Sequence, residues 1–354
     1  MKAILLAGGF GTRLRPLTLN LPKATVPIFD RPFLYYQIDL LKQLPEIDEV
    51  ILSLNYQPEA VKNSLPKDSD IGLDIRYLVE PKPLGTGGAI KFSEKYLNNE
   101  TVLVLNGDVL THINLSQFLA LHQSRKAHAT IALTPVDNPS SYGLVETDTK
   151  SNVLRFLEKP NPNEIHCNTI NAGIYLLEPN TFNRIPPNTK YSIERSYFPS
   201  LIENHETFVA YINEDYWIDI GTPGKYLQAH RDIMNGKYQT SPFTENSDGK
   251  PFVHKTADIA PTAQLFGPCF VGARAKVEAG ASLKPHSTVC QKAIVGTCAQ
   301  IDGSLISEEA VIGAHAIVHN AIIGRRVRIE QHTKIGPGIV IGDDSIITSY
   351  SSLS

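Results

Sequence analysis

The sequence predicts an α/β domain with a mixed, mostly parallel sheet, followed by a hexapeptide-repeat left-handed parallel β-helix. Three observations carry this reading: β-rich runs alternating with amphipathic stretches up to about Tyr238, a polar break over 237–251, and aliphatic residues recurring every sixth position beyond it. At 354 residues the chain is too long for one typical domain and comfortable for two. The expected boundaries are 1–238 for the first domain, 239–251 for a linker and 252–354 for the β-helix.

In the first domain the run 2–7 reads as a buried strand, with further strands expected at 50–54, 75–79, 102–105, 130–133, 144–147 and 173–177. Helices are expected between them at 33–44, 89–96, 115–123 and 224–234. The break KYQTSPFTENSDGKP is rich in turn formers and has neither hydrophobic period. A cut at about Ser247 is therefore expected to leave the first domain folded largely on its own core.

The second half has a different rhythm. Aliphatic residues fall every six positions at Ile259, Leu265, Val271, Val277, Leu283, Val289, Val295 and Ile301. After a four-residue step the spacing resumes at Leu305, Val311, Ile317, Ile323, Ile329, Ile335, Ile341 and Ile347. An amphipathic helix repeats its apolar face every 3.6 residues and cannot produce this pattern. Stacked coils of three short strands can, each strand turning one aliphatic inward, which predicts about five coils of roughly eighteen residues. Exposed coil ends favour pairing with another copy, so a homo-oligomer assembled through this domain is expected.

Charge and cysteine usage narrow the function. A formal net charge of −3 without long single-sign runs gives no reason to expect nucleic acid or a membrane surface as partner. Cys167, Cys269, Cys290 and Cys298 form no CxxC pair and have no metal-ligand spacing with histidine, so they read as buried small hydrophobes. The apolar start is only a few residues long and runs into glycines, unlike a targeting segment, which makes the cytoplasm the expected location. His286, His315, His319 and His332 in the repeat region read as solvent-facing coil positions rather than as an acyltransferase site.

The first strand runs into LAGGFGTRLRPLT. Gly8, Gly9 and Gly11 would let backbone N–H groups approach phosphate oxygens, and Arg13 supplies positive charge. No lysine followed by Ser or Thr completes a Walker A pattern, and the third glycine of a dinucleotide fingerprint is missing. Asn106-Gly107-Asp108 follows another strand at the edge where open α/β sheets bind ligands. A carboxylate there could hold Mg²⁺ against phosphates, or could cap the next helix. Asp219 lies in the apolar run Tyr216-Trp217-Ile218-Asp219-Ile220, where an isolated charge is costly and needs a cation or a hydrogen-bond network.

The string G-G-x-G-T-R-L-x-P-L-T followed by Pro22-Lys23 resembles the nucleotide-binding signature of the sugar-1-phosphate nucleotidyltransferase family. The resemblance implies a Rossmann-like catalytic domain. It also places Leu6, Ala7, Gly8, Gly9, Gly11, Thr12, Arg13 and Lys23 on the nucleotide, with Arg13 and Lys23 serving catalysis. Gly85 and Thr86 of PLGTGG would contact the base. Gly143, Glu158 and Asn171 would hold the sugar, and Lys159 its phosphate. Asp108 and Asp219 match the aspartates that bind the catalytic Mg²⁺ of the family. One departure is Ala24-Thr25, where the family commonly has Pro followed by Leu or Met after the lysine.

The family branch that carries a β-helix, together with PLGT, EKP and INAG, looks most like the enzymes that use GTP and mannose 1-phosphate. Glucose 1-phosphate with UTP, dTTP or ATP, and heptose 1-phosphate with GTP, stay open as substrates. A non-catalytic regulatory subunit that binds a nucleotide sugar also stays open, although such a subunit would be expected to have lost Arg13, Lys23, Asp108 or Asp219.

Overall fold

The structure is a computed structural model and describes residues 1–65, 72–243 and 249–354. Part of the expected linker, including Ser247, lies outside the described residues. Contacts divide the chain into two compact units, Met1–Phe10 with Leu34–Trp217, and Gly11–Phe33 with Ile218–Ser354.

The first unit is built on a nine-stranded mixed sheet. Its centre is Lys2–Leu6, paired in parallel with Glu49–Leu54 on one side and Val102–Asn106 on the other. These strands are near-continuous aliphatic runs because helices cover both faces of such a sheet. Ile4, Ile51, Val102 and Val104 accordingly belong to one buried cluster. Asp74–Val79 closes one edge, beyond Glu49–Leu54. On the other side Thr169–Leu177 runs antiparallel to Val102–Asn106, and Gly143–Thr147 and Val153–Glu158 follow it outward.

Every strand expected in this unit is present. Val153–Glu158 and Phe208–Ile212 were not foreseen. Val153–Glu158 has the burial of an edge strand, with Leu154 exposed, so its alternation is blurred. The helices Phe33–Leu41, Gly85–Ser93, Leu115–Ser124 and Pro223–Met234 match the four expected ones. The second of these starts four residues earlier than its apolar pattern, because Gly85–Gly88 already form its first turn.

In the second unit eighteen short strands form three parallel six-stranded sheets, the left-handed β-helix. It has six rungs rather than about five, since Phe252–Val253 precedes the expected repeats and Ser352–Leu353 follows them. The phase step also needs correction. Val289 pairs with Ile306, Val295 with Ile312 and Ile301 with Val318, so Ile306, Ile312 and Val318 point inward in place of Leu305, Val311 and Ile317. The cause is two corners, at Gly303 (φ 53°) and Asn320 (φ 52°), that turn in one residue fewer than the others. Together these two five-residue steps, Ile301 to Ile306 and Val318 to Ile323, replace the single four-residue step at Leu305.

The helix Pro223–Met234 lies along these shortened corners. Arg231 donates to the Gly303 carbonyl at 3.0 Å and to the Asn320 side chain, while His286 bonds Asn235 at 2.9 Å. A second corner carries an ion-pair ladder that includes Lys292–Glu309 and Arg326–Asp344. At the third, His315, His332 and Tyr350 stack at 4.9 Å spacing. His315, His319 and His332 are exposed as expected, whereas His286 is half-buried against the helix. Cys269 and Cys290 are buried, but Cys167 is half-buried and Cys298 exposed at a corner, so only two of the four cysteines act as core residues. Tyr238 and Phe243 are buried as well, so the segment expected as linker begins as packed chain.

Candidate active site

The division between units runs through the glycine-rich loop: Leu6, Ala7, Gly8 and Gly9 belong to the sheet unit, Gly11, Thr12, Arg13 and Lys23 to the β-helix unit. In the sheet unit Ala7 N–H donates to the Ser53 carbonyl, and a Cβ on Gly8 would stand 3.2 Å from the Asn55 nitrogen. A Cβ on Gly9 would meet nothing within 4 Å, which leaves its backbone open to a ligand.

Asp108 occupies the turn between Val102–Asn106 and Val109–Thr111 and is half-buried. The alternative role as a helix cap is excluded, because Asn114 caps Leu115–Ser124 by accepting the Gln117 N–H at 3.0 Å. Gly107 must be glycine here: its N–H donates to the Leu6 carbonyl at 3.0 Å, and a Cβ would stand 2.5 Å from that oxygen. Two residues before Asp108, Asn106 Oδ1 is buried and, among the described residues, has no hydrogen-bond partner.

Gly85 (φ 72°) opens its helix against Tyr191, whose carbonyl would lie 2.8 Å from an added Cβ. The Thr86 hydroxyl donates to Glu194 and accepts the Ile193 N–H, both at 2.9 Å. Glu80 sets the preceding turn. Its carboxylate accepts from Ser53 Oγ at 2.8 Å and from Leu84 N–H at 2.9 Å, and burial raises its pKa. Glu80 and Glu194 carry no sequence signal for these roles, because the partners that tie them into the site, Ser53 and Thr86, lie 27 and 108 residues away.

Gly143, Glu158 and Asn171 stand on three neighbouring strands. A Cβ on Gly143 would lie 2.8 Å from the Phe156 ring and 3.1 Å from Glu158 Oε2. Burial, and then the nearby Glu194, push the Glu158 carboxyl up. Asn171 donates to Tyr175 Oη and accepts the Gly173 N–H, both at 2.9 Å. Lys159 is exposed at φ 56°, its N–H on the Tyr142 carbonyl. Trp217 joins this group edge-on to Tyr142 and donates to the Ala172 carbonyl at 2.9 Å.

In the β-helix unit Gly11 (φ 60°) precedes the short turn Thr12–Leu14, and its carbonyl accepts the Thr18 hydroxyl at 2.7 Å. Arg13 is exposed and Lys23 half-buried. Asp219 is only 8% exposed, and the cation its burial calls for is Lys225, in the first turn of the following helix. Gly221 makes room for both charges: a Cβ there would lie 2.8 Å from Asp219 Oδ2 and 2.9 Å from an Arg13 nitrogen. Lys225 was not foreseen, although the spacing from Asp219 was readable. Among the described residues no group of three or more His, Cys, Asp or Glu side chains could hold a metal.

A Rossmann-like sheet with glycine turns and carboxylates at the ends of its strands, joined to a β-helix, defines a nucleotide-handling α/β class. Residues 2–236 match the family described as nucleotidyl transferase, and the chain belongs to it. Residues 265–353 match the GMPPB C-terminal domain. Among curated relatives, mannose-1-phosphate guanylyltransferase of Mycobacterium tuberculosis is 38% identical over 79% of this chain and 77% of its own. Mannose-1-phosphate guanyltransferase of Debaryomyces hansenii is 34% identical over 97% and 91%. Among solved structures, HddC from Yersinia pseudotuberculosis complexed with GMP-PN is 31% identical, with a TM-score of 0.56 over 64% of this chain and 97% of that one.

Proposed function

We propose that this chain transfers GMP from GTP to mannose 1-phosphate, giving GDP-mannose and pyrophosphate. The observation that carries the reading is likeness to mannose-1-phosphate guanyltransferases along nearly the full chain, β-helix included. The GMP-PN complex of HddC supports a guanine nucleotide independently.

In this reading an oxygen of the sugar phosphate attacks the α-phosphorus in line while the bond to the β-phosphate oxygen breaks. No covalent enzyme intermediate is needed, so the residues act by positioning and charge neutralisation. Leu6–Gly9, Gly11 and Thr12 would cradle the triphosphate with backbone N–H groups. Arg13 and Lys23 would balance charge on the departing pyrophosphate. Gly85 and Thr86 would border the base, Gly143, Glu158 and Asn171 the sugar, and Lys159 its phosphate.

Asp108 and Asp219 would hold Mg²⁺, and the residues fit such an ion. They are hard oxygen donors, and Asn106 Oδ1, two residues before Asp108, has no hydrogen-bond partner among the described residues; the Lys225 ammonium that meets the Asp219 charge would share that carboxylate with the ion. When bound, the ion would neutralise charge shared by the two reacting phosphates. The sequence retains all four charged residues whose loss would mark a regulatory subunit.

A cytoplasmic homo-oligomer joined through the β-helix belongs to the same proposal. Among the described residues no helix is long and apolar enough to cross a membrane. Pyrophosphate release with GTP and mannose 1-phosphate tests the function, and no turnover with that pair would reject it.

A further inference from the structure

Residues Gly11–Phe33 carry Arg13 and Lys23 and pack with the β-helix. The segment ends in a hairpin, Pro27–Ile28 against Arg31–Pro32, whose two loop residues are Phe29 and Asp30. Phe29 has φ 54°, at a turn position that ordinarily takes glycine. Such a conformation persists only where the surroundings over-determine it.

They do so here. The Phe29 ring is buried against Phe270 at 4.7 Å and Phe243 at 5.3 Å. Its carbonyl accepts the Cys290 thiol at 3.3 Å. Asp30 also bonds the β-helix: its Oδ1 accepts the Gln291 N–H at 2.8 Å, and the Ala273 N–H adds a second bond. Burial raises the Asp30 carboxyl above its usual range, and these N–H groups hold it down. A Cβ on Gly272 would overlap Asp30 Oδ2 and stand 3.0 Å from its Cγ. The same Cβ would stand 2.8 Å from the Gln291 nitrogen of the next coil, so Gly272 is kept small by the carboxylate and by the coil together. At the other end of the segment, Pro16 lies 3.0 Å from where a Gly342 Cβ would be.

We propose that Asp30, gripped by Gly272 and Gln291 of the β-helix, is a positioning residue that sets where Arg13 and Lys23 meet the triphosphate. The β-helix then supports the catalytic loop in addition to any part it has in assembly. In this role Asp30 acts through the seven-residue path to Lys23. The proposal rests on the assignment of Arg13 and Lys23 to the triphosphate.

The test uses the full chain and compares Asp30→Ala, Asp30→Asn and Gly272→Ala with the wild type. It measures the KM for each substrate and hydrogen exchange over residues 11–33, with the β-helix coils as internal control. Asp30→Ala and Gly272→Ala are expected to raise the KM for the nucleoside triphosphate about tenfold or more and that for the sugar phosphate by less than about twofold. Exchange over 11–33 should quicken in both variants; the coils keep their protection in Asp30→Ala, whereas Gly272→Ala also loosens the coil at Gln291. Asp30→Asn retains an acceptor for Gln291 and should recover most of the affinity. A merely structural role would affect both substrates alike. Unchanged exchange in both disrupting variants, or quickened exchange with no KM split, overturns the proposal. A wild type that accepts no nucleoside triphosphate would instead reject the proposed function, before any variant is compared.

Discussion

His230 Nε2 accepts the Phe29 N–H at 3.1 Å, while Nδ1 donates to the Tyr226 carbonyl at 3.0 Å. The ring is therefore neutral, and complete burial lowers its pKa from 6.5 to about 4. The unfolded chain takes up a proton below pH 6.5 that the folded chain refuses. Stability from this group is whole above pH 6.5 and is lost as pH falls toward 4, by about 3 kcal/mol in all. Urea unfolding from about pH 7.5 to about pH 5 should show His230→Asn converging on the wild type as acid is added. A stability difference that stays constant across that range would contradict the linkage.

Gly143→Ala inserts a methyl group between Phe156 and Glu158. If these strands hold the sugar, the KM for mannose 1-phosphate should rise about tenfold or more, with little change for GTP. Steady-state kinetics on both substrates would detect the split, and a selective rise for GTP would move the sugar elsewhere.

Gly85→Ala meets two penalties, a φ of 72° and the Tyr191 carbonyl at 2.8 Å. The expected cost is about 1–3 kcal/mol of stability, together with weaker nucleotide binding. Thermal unfolding and nucleotide titration measure the two effects. An alanine variant equal to the wild type in both would show that the helix start is not constrained as described.

Asp108→Ala and Asp219→Ala should each leave a folded protein that turns over at least about a hundredfold more slowly, about 2.7 kcal/mol of transition-state stabilisation. Both should also weaken binding of Mn²⁺ used as a magnetic probe for Mg²⁺. Near wild-type turnover at saturating Mg²⁺ in both variants would rule out the metal assignment.

Much of the architecture is legible because it is periodic. The six-residue recurrence identifies the β-helix, and aliphatic runs such as Ile4–Leu5 and Val102–Leu105 locate the central strands. The pattern misleads at Leu305, Val311 and Ile317, where adjacent positions are also aliphatic and only the pairing register selects Ile306, Ile312 and Val318. Residues whose partners are distant in sequence stay hidden. Asp30 bonds Gln291, and Glu194 bonds Thr86, across separations that no local spacing records. Lys225 differs, since it lies in the first turn of the helix that follows Asp219. Its pairing could have been sought from the rule that a buried carboxylate needs a cation.

The most direct test sets GTP, UTP, dTTP and ATP against mannose, glucose and heptose 1-phosphates, with pyrophosphate release as the readout. The account predicts the highest kcat/KM for GTP with mannose 1-phosphate. A higher value for UTP or dTTP with glucose 1-phosphate, or release with no pair at all, would contradict it.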